Sequence, residues 1–223
     1  PPQVTFEAEV DTVSRFAWRG LGLTDGPAVQ PSVGAAWSFL YAQLWSNLVV
    51  SDPGQRGRFT EVDPILGSEW VIGDFTLNPE AIAYLYPYGI ASSSAEVSLG
   101  IAYAWGAACL TTRHAFDVWQ SPGSYFGEMA LAFEQDVDDG TGGGAFVSVS
   151  WANGTFNAVN IGPDQWALNV MSTGLFATFR PIAPISIRIH GEFSILLDPQ
   201  LRSAVGSPEQ IVAGIALGFS PGD

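Results

Sequence analysis

Residues 4–19 read VTFEAEVDTVSRFAWR, and the spacing of their charges decides the fold. Glu7, Glu9, Asp11, Arg15 and Arg19 all stand on odd positions. Phe6, Ala8, Val10, Thr12, Ser14, Phe16 and Trp18 between them carry no charge. A period of two held this long predicts one extended strand whose faces meet different solvents. The pattern returns late in the chain, where Ile185, Ile187, Ile189, Phe193 and Ile195 alternate with Ser186, Arg188, His190, Glu192 and Ser194. It returns again where Ile211, Ala213, Ile215, Leu217 and Phe219 alternate with Val212, Gly214, Ala216 and Gly218. There the second face is small rather than polar.

Read outward from these segments, the sequence predicts twelve strands. They cover about residues 3–21, 28–38, 40–50, 58–71, 75–87, 94–104, 107–119, 124–136, 145–153, 164–180, 183–196 and 208–220. The connections carry a second, independent pattern. Gly22–Ala28, Ser51–Gly57, Tyr88–Ser93, Gln120–Ser124, Asn153–Pro163 and Leu197–Ser207 are longer. Those around Phe39, Ile72-Gly73-Asp74, Trp105-Gly106 and Pro181-Ile182 are tight, and Val137–Gly144 breaks the alternation. Long connections on one rim and short ones on the other predict an all-β, up-and-down antiparallel transmembrane β-barrel of twelve strands, with residues 1–223 as a single domain.

Composition narrows the alternatives. Of the 223 residues 47% are hydrophobic and 13% charged, against roughly 25% charged in ordinary soluble domains. A lipocalin-like soluble barrel turns polar residues outward, and such exteriors are about a quarter to a third charged. Here the polar face mixes scattered carboxylates and arginines with Ser, Thr, Gly, Ala and Asn, and lacks Lys altogether. That suits a watery interior, so the apolar face is assigned to lipid. Trp18, Trp37, Trp70, Trp105, Trp119 and Trp166 fall near strand ends and are predicted to form the interfacial girdle. Trp45 and Trp151 fit that scheme less well. Net charge is −14, which excludes a nucleic-acid partner. The single cysteine, Cys109, excludes an intrachain disulfide and a Cys-based zinc site. The alternation running up to Phe219 resembles a terminal aromatic signal of outer-membrane barrels, although Ser220-Pro-Gly-Asp223 follow it. The expected location is the bacterial outer membrane, with an export signal already removed.

The stretch from Val10 to Trp37 resembles the TorF-like porin family of Gram-negative bacteria. The family's aromatic-x-Arg-Gly element is matched by Phe16/Trp18-Arg19-Gly20, its Thr/Ser-Asp-Gly turn by Thr24-Asp25-Gly26, and its Pro-Ala-x-Gln strand start by Pro27-Ala28-Val29-Gln30. Weaker echoes follow in Leu40–Asn47 and in Glu61-Val-Asp63. The resemblance covers about the first quarter of the chain. It implies a small outer-membrane barrel with a porin role and no catalytic residues.

By strand parity the inward-facing groups, and hence the selectivity candidates, are Glu7, Glu9, Asp11, Arg15, Arg19, Glu61, Asp63, Glu80, Glu96, Arg113, Asp117, Glu128, Arg188 and Glu192. Glu69 and Glu134 belong to the same face. Carboxylates outnumber arginines there, so a wet lumen would favour cations. His114 and His190 offer bases for a serine nucleophile, but no serine sits in a recognisable motif, and His114 falls on the apolar phase. Asp136-Val-Asp-Asp-Gly-Thr-Gly-Gly-Gly144 lacks the spacing of an EF-hand loop and reads as a turn. Asn153-Gly-Thr155 also reads as a turn rather than a glycosylation site. The sequence thus predicts no enzyme, no metal and no cofactor. The expected function is passive passage of small polar solutes, with cations preferred. The alternatives are a closed structural barrel serving as a subunit of an outer-membrane assembly, as a homo-oligomer or with other subunits, and a soluble ligand-binding barrel.

Overall fold

Antiparallel pairing of neighbours in sequence accounts for almost the whole molecule. The computed structural model describes residues 3–221 and contains strands β1 (Val4–Val13), β2 (Ala17–Trp18), β3 (Leu21–Gly22), β4 (Ala28–Trp37), β5 (Leu40–Val49), β6 (Arg58–Ser68), β7 (Trp70–Ile72) and β8 (Phe75–Tyr84). Strands β9 (Ser94–Trp105), β10 (Ala108–Asp117), β11 (Tyr125–Asp138), β12 (Thr141–Ala152), β13 (Ala167–Ile182), β14 (Ile185–Leu196) and β15 (Glu209–Phe219) complete the sheet. Short helices α1 (Gly154–Asn160) and α2 (Pro199–Ala204) lie in two connections. The ladder runs β6-β5-β4-β1-β15-β14-β13-β12-β11-β10-β9-β8, and β6 pairs β8 to close a ring of twelve. β7 pairs with β8 alone and stands outside that ring.

The joint between β6 and β8 is the thinnest in the ring. Among the described residues Ile65, Leu66 and Gly67 pair with Ile82, Ala81 and Glu80, and a lone bridge joins Val62 to Leu85. The register would set Pro64 opposite Ala83, and proline has no N–H to donate to the ladder. Elsewhere the pairing is longer, with β1 and β4 matched from Val4↔Trp37 to Val13↔Ala28.

The register sorts the side chains into two populations. Phe6, Val10, Val33, Leu44, Leu66, Val97, Leu131, Leu175, Ile189, Ile215 and Leu217 are exposed on the outer face. Asn47, Glu61, Asp63, Glu96, Ser148, Ser150, Ser172, Ser194 and Gln210 are buried on the inner one. An apolar outside and a polar inside invert the soluble pattern and suit a hydrocarbon surround. Trp37, Trp70 and Trp105 are exposed near the short-turn rim, and Trp119 and Trp166 near the long-connection rim. Trp151 also faces outward, and its Nε1 donates to the Tyr125 hydroxyl at 2.9 Å beside His114. We expect Ile215→Arg to destabilise the barrel by about 2–4 kcal/mol. Urea unfolding in phospholipid vesicles measures the difference.

Several expectations need correction. The first strand ends at Val13, not near residue 21: Ser14 exchanges hydrogen bonds with Ala213, its N–H at 2.8 Å and its hydroxyl at 3.0 Å, and the chain then turns into the barrel. Phe16 and Trp18, on the lipid phase by parity, are therefore inside, and Trp18 is not a girdle residue. Trp45 is inside too, 5.5 Å from the Phe16 ring. The Val137–Gly144 segment does not break the loop rule. β11 and β12 meet at Asp139-Gly140, and the glycines continue β12 because cross-strand atoms fill the space a side chain would need. A Cβ on Gly144 would stand 2.7 Å from Phe176 Cζ. Asp136, just before that segment, pairs with Arg180 at 3.0 Å. Glu69 is exposed between β6 and β7, off the inner wall. Asn153 starts a helix instead of a hairpin, its Oδ1 accepting from Phe156 N at 3.0 Å as an N-cap.

Candidate functional site

The connection Ser14–Pro27 is the largest object inside the barrel. Arg19 (φ 49°) and Gly20 (φ 79°) form the tip of the β2–β3 hairpin, the pair of positive φ values that a type I′ turn requires. Gly20 is also required by space, since a Cβ there would meet Val170 Cγ2 at 2.6 Å. Thr24 fixes the base of the hairpin, its hydroxyl accepting from Phe16 N at 2.8 Å and donating to Gly26 O. Arg15 ties the base to the last strand through Gln210 Oε1 at 2.8 Å.

The tip crosses the lumen and grips the opposite wall. Arg19 makes two parallel hydrogen bonds to Glu96 of β9, at 2.9 and 2.6 Å, with side chains only 9% and 7% exposed. Tyr84 completes the carboxylate by donating its hydroxyl at 3.0 Å. The guanidinium lies 4.5 Å from the Trp18 ring centre, 4.2 Å from Phe126 and 5.3 Å from Phe156. Phe156 comes from α1, so the Asn153 cap helps to build this box. A planar cation held by a bidentate carboxylate and three rings is a strong anchor in a low-dielectric setting. The hairpin is a plug fixed at both ends.

The plug divides the space. Above it a vestibule of about 400 Å³ opens among the long connections, with Trp18, Tyr84, Tyr86, Glu61 and Phe156 in its wall. Below it lies a cavity of about 370 Å³ with Asp11, Gln30, Glu128, His190 and Glu192. That cavity shares Asp11, His190 and Glu192 with a smaller one of about 170 Å³, which in turn shares Glu9 with one of about 280 Å³ near the short-turn rim. Among the described residues only Phe16 lines both the vestibule and the cavity beneath it. Neighbouring cavities thus share lining residues from the short-turn rim to the plug.

Glu7, Glu9, Asp11, Glu61, Asp63, Glu80, Glu96, Arg113, Asp117, Glu128, Arg188 and Glu192 are on inward positions of wall strands, whereas Arg15 and Arg19 enter the lumen on the plug. Several are already engaged. Arg113 pairs with Glu80 at 2.6 Å, and His190 approaches Asp11 at 3.0 Å. Arg188 stacks 3.9 Å from the Phe176 ring centre. Asp117 accepts Trp119 N and Ser121 N and so fixes a connection. Glu61 receives a hydrogen bond from the Tyr86 hydroxyl at 3.3 Å, and Asp63 Oδ1 has no partner among the described residues. Burial foremost, then the charges of Glu61 and Asp63, raise the pKa of the Tyr86 hydroxyl, so it remains a donor. His114 is outside, its Nδ1 2.8 Å from the Tyr125 hydroxyl. Among the described residues there is no group of three or more His, Cys, Asp or Glu placed to hold a metal. Parity alone does not point to Trp18, Tyr84, Phe126 and Phe156 as one box. The cluster of Gly20, Gly22 and Gly26 just after an aromatic-rich segment is the signal that could have marked the inward hairpin.

A closed twelve-strand wall, apolar outside and polar within, with a long connection folded into its bore, is an architecture found among solved outer-membrane porins. No protein-family model matches this chain, and no curated protein sequence matches it. Its fold is similar to that of solved porins. The NanC porin is 11% identical, with 97% of this chain and all of that chain covered and a TM-score of 0.60. The KdgM porin is 5% identical, with 96% and 98% covered and a TM-score of 0.61. The COG4313 outer membrane channel from Pseudomonas putida F1 is 12% identical, with 99% and 96% covered and a TM-score of 0.56. Identities this low speak to the fold alone.

Proposed function

We propose that this chain is a narrow outer-membrane conduit for small polar solutes that prefers cations. The observation that carries the reading is the linked run of cavities edged by Glu7, Glu9, Asp11, Glu128 and Glu192, where carboxylates outnumber the arginines they face. Acidic walls in a confined bore concentrate cations and repel anions. The KdgM porin has been solved with oligogalacturonate, a polyanion, and the acidic bore here argues for a different cargo. We also propose membership of the TorF-like porin family, because the residues that carry the resemblance, Phe16 to Gly26, build the plug.

Planar-bilayer recordings in a salt gradient test the reading. The expected result is small steps whose reversal potential favours cations, and whose selectivity falls when Glu7, Glu9 and Asp11 are changed together to Gln, Gln and Asn. Anion-selective steps would refute it. The buried Arg19–Glu96 anchor favours a second reading, a closed barrel that serves as a structural subunit in an outer-membrane assembly. Folded protein that stays silent in the bilayer and co-purifies with other barrels from detergent extracts would support that one.

A further inference from the structure

We propose that the vestibule above the plug is a binding site for a small organic cation, an ammonium group carried on an aromatic or aliphatic body. The chemistry is already present one level below. Arg19 occupies a seat made of one carboxylate and several rings, with Glu96 as counter-charge and Trp18 and Phe156 as walls. The vestibule shares Trp18 and Phe156 with that seat and adds Glu61 and Tyr86 beside them. Trp18, Tyr84, Tyr86 and Phe156 line a space of about 400 Å³, within the size range of small-molecule sites.

Glu61 supplies the carboxylate that a bound cation would pair with. It is 3% exposed and lines the vestibule, and among the described residues no arginine or histidine forms an ion pair with it. Tyr86 gives it one long hydrogen bond to Oε1. Two residues on, Asp63 is 4% exposed and its Oδ1 has no partner. Carboxylates removed from water are costly unless a cation completes them. Glu96 and Asp117, the other acids in the vestibule wall, are occupied by Arg19 and by backbone N–H groups. Glu61 is therefore the acid left for a guest, with rings beside it to hold the guest's apolar part. Ammonium groups over aromatic faces gain attraction that neutral isosteres do not. The site stands on the outer side of the plug, so the inference does not depend on conduction below it.

The test is isothermal titration of the folded full chain in detergent micelles with 2-phenylethylammonium, 2-phenylethanol and phenylacetate, each against a micelle blank. The ammonium is expected to bind saturably, and the neutral and anionic analogues roughly tenfold more weakly or not at all. Glu61→Gln is expected to remove the preference for the ammonium, while Glu7→Gln at the far rim leaves it unchanged. Equal binding of the three analogues, or an unaltered Glu61→Gln variant, would overturn the proposal. So would displacement of the ammonium by sodium at equal concentration, which would mark a site for inorganic cations. The analogue series on the unmodified protein decides the matter even if the variant does not fold. A silent bilayer with intact ammonium binding would remove the conduit reading and leave this one standing.

Discussion

Excising the hairpin tip Ala17–Gly22, and joining its ends with a short Gly-Ser link, is expected to raise the ion conductance of the reconstituted barrel several-fold. The tip carries Trp18 and Arg19, which bridge the bore from the β1–β4 connection to β9 and α1. Without them the vestibule joins the cavity below, since Phe16 is the residue the two already share. The wall itself keeps its ladder, because β2 and β3 pair only with each other and contribute no strand to the ring. Single-channel recording reads the step size, and unaltered heat-modifiable migration on a denaturing gel shows that the barrel still closes. Steps of unchanged size would mean that solutes pass the plug by another path.

Replacing Glu96 by Ala is expected to loosen the plug by about 3–5 kcal/mol while leaving the wall folded. The cost arises because the Arg19 guanidinium would remain buried among three rings with no counter-ion. Removing one member of a buried pair is far more damaging than removing both. A double variant, Arg19→Met with Glu96→Leu, should therefore recover much of the loss. Hydrogen exchange resolved by peptide is the measurement: protection falls over residues 14–27 in Glu96→Ala and is unchanged in β11 to β14. Equal loss across the whole barrel would show that the pair holds the ring and not only its plug.

The period of two made the wall legible from the chain alone. Each wall strand begins within a few residues of where the alternation begins, because a side chain in a two-solvent sheet has no other way to satisfy its polarity. Parity likewise put Glu9 and Arg188 on one face and Phe6 and Leu217 on the other. It misled at Phe16 and Trp18, because alternation reports that two faces differ and is silent on which sheet the strand has joined. An indole is equally suited to a lipid interface and to a dry box around a guanidinium. The glycine tract 142–144 read as a loop because lack of side chains looks like flexibility. In β12 it reflects rings and backbone atoms already filling the space. The helix at Gly154–Asn160 is too short to show a helical period, and Asn153-Gly spells a turn as readily as a cap. The Arg19–Glu96 contact spans 77 positions, and no local pattern encodes a partner at that distance.

The proline in β6 gives the cylinder a preferred line of rupture. A staves-and-hoops vessel splits where a hoop is missing, and Pro64 deletes one between β6 and β8. Thermal breathing should concentrate along that line, sparing the long ladders of β11 to β14 on the far side. The Asp63 carboxylate lies next to the same fault, so any widening there would expose an acid whose Oδ1 has no partner among the described residues.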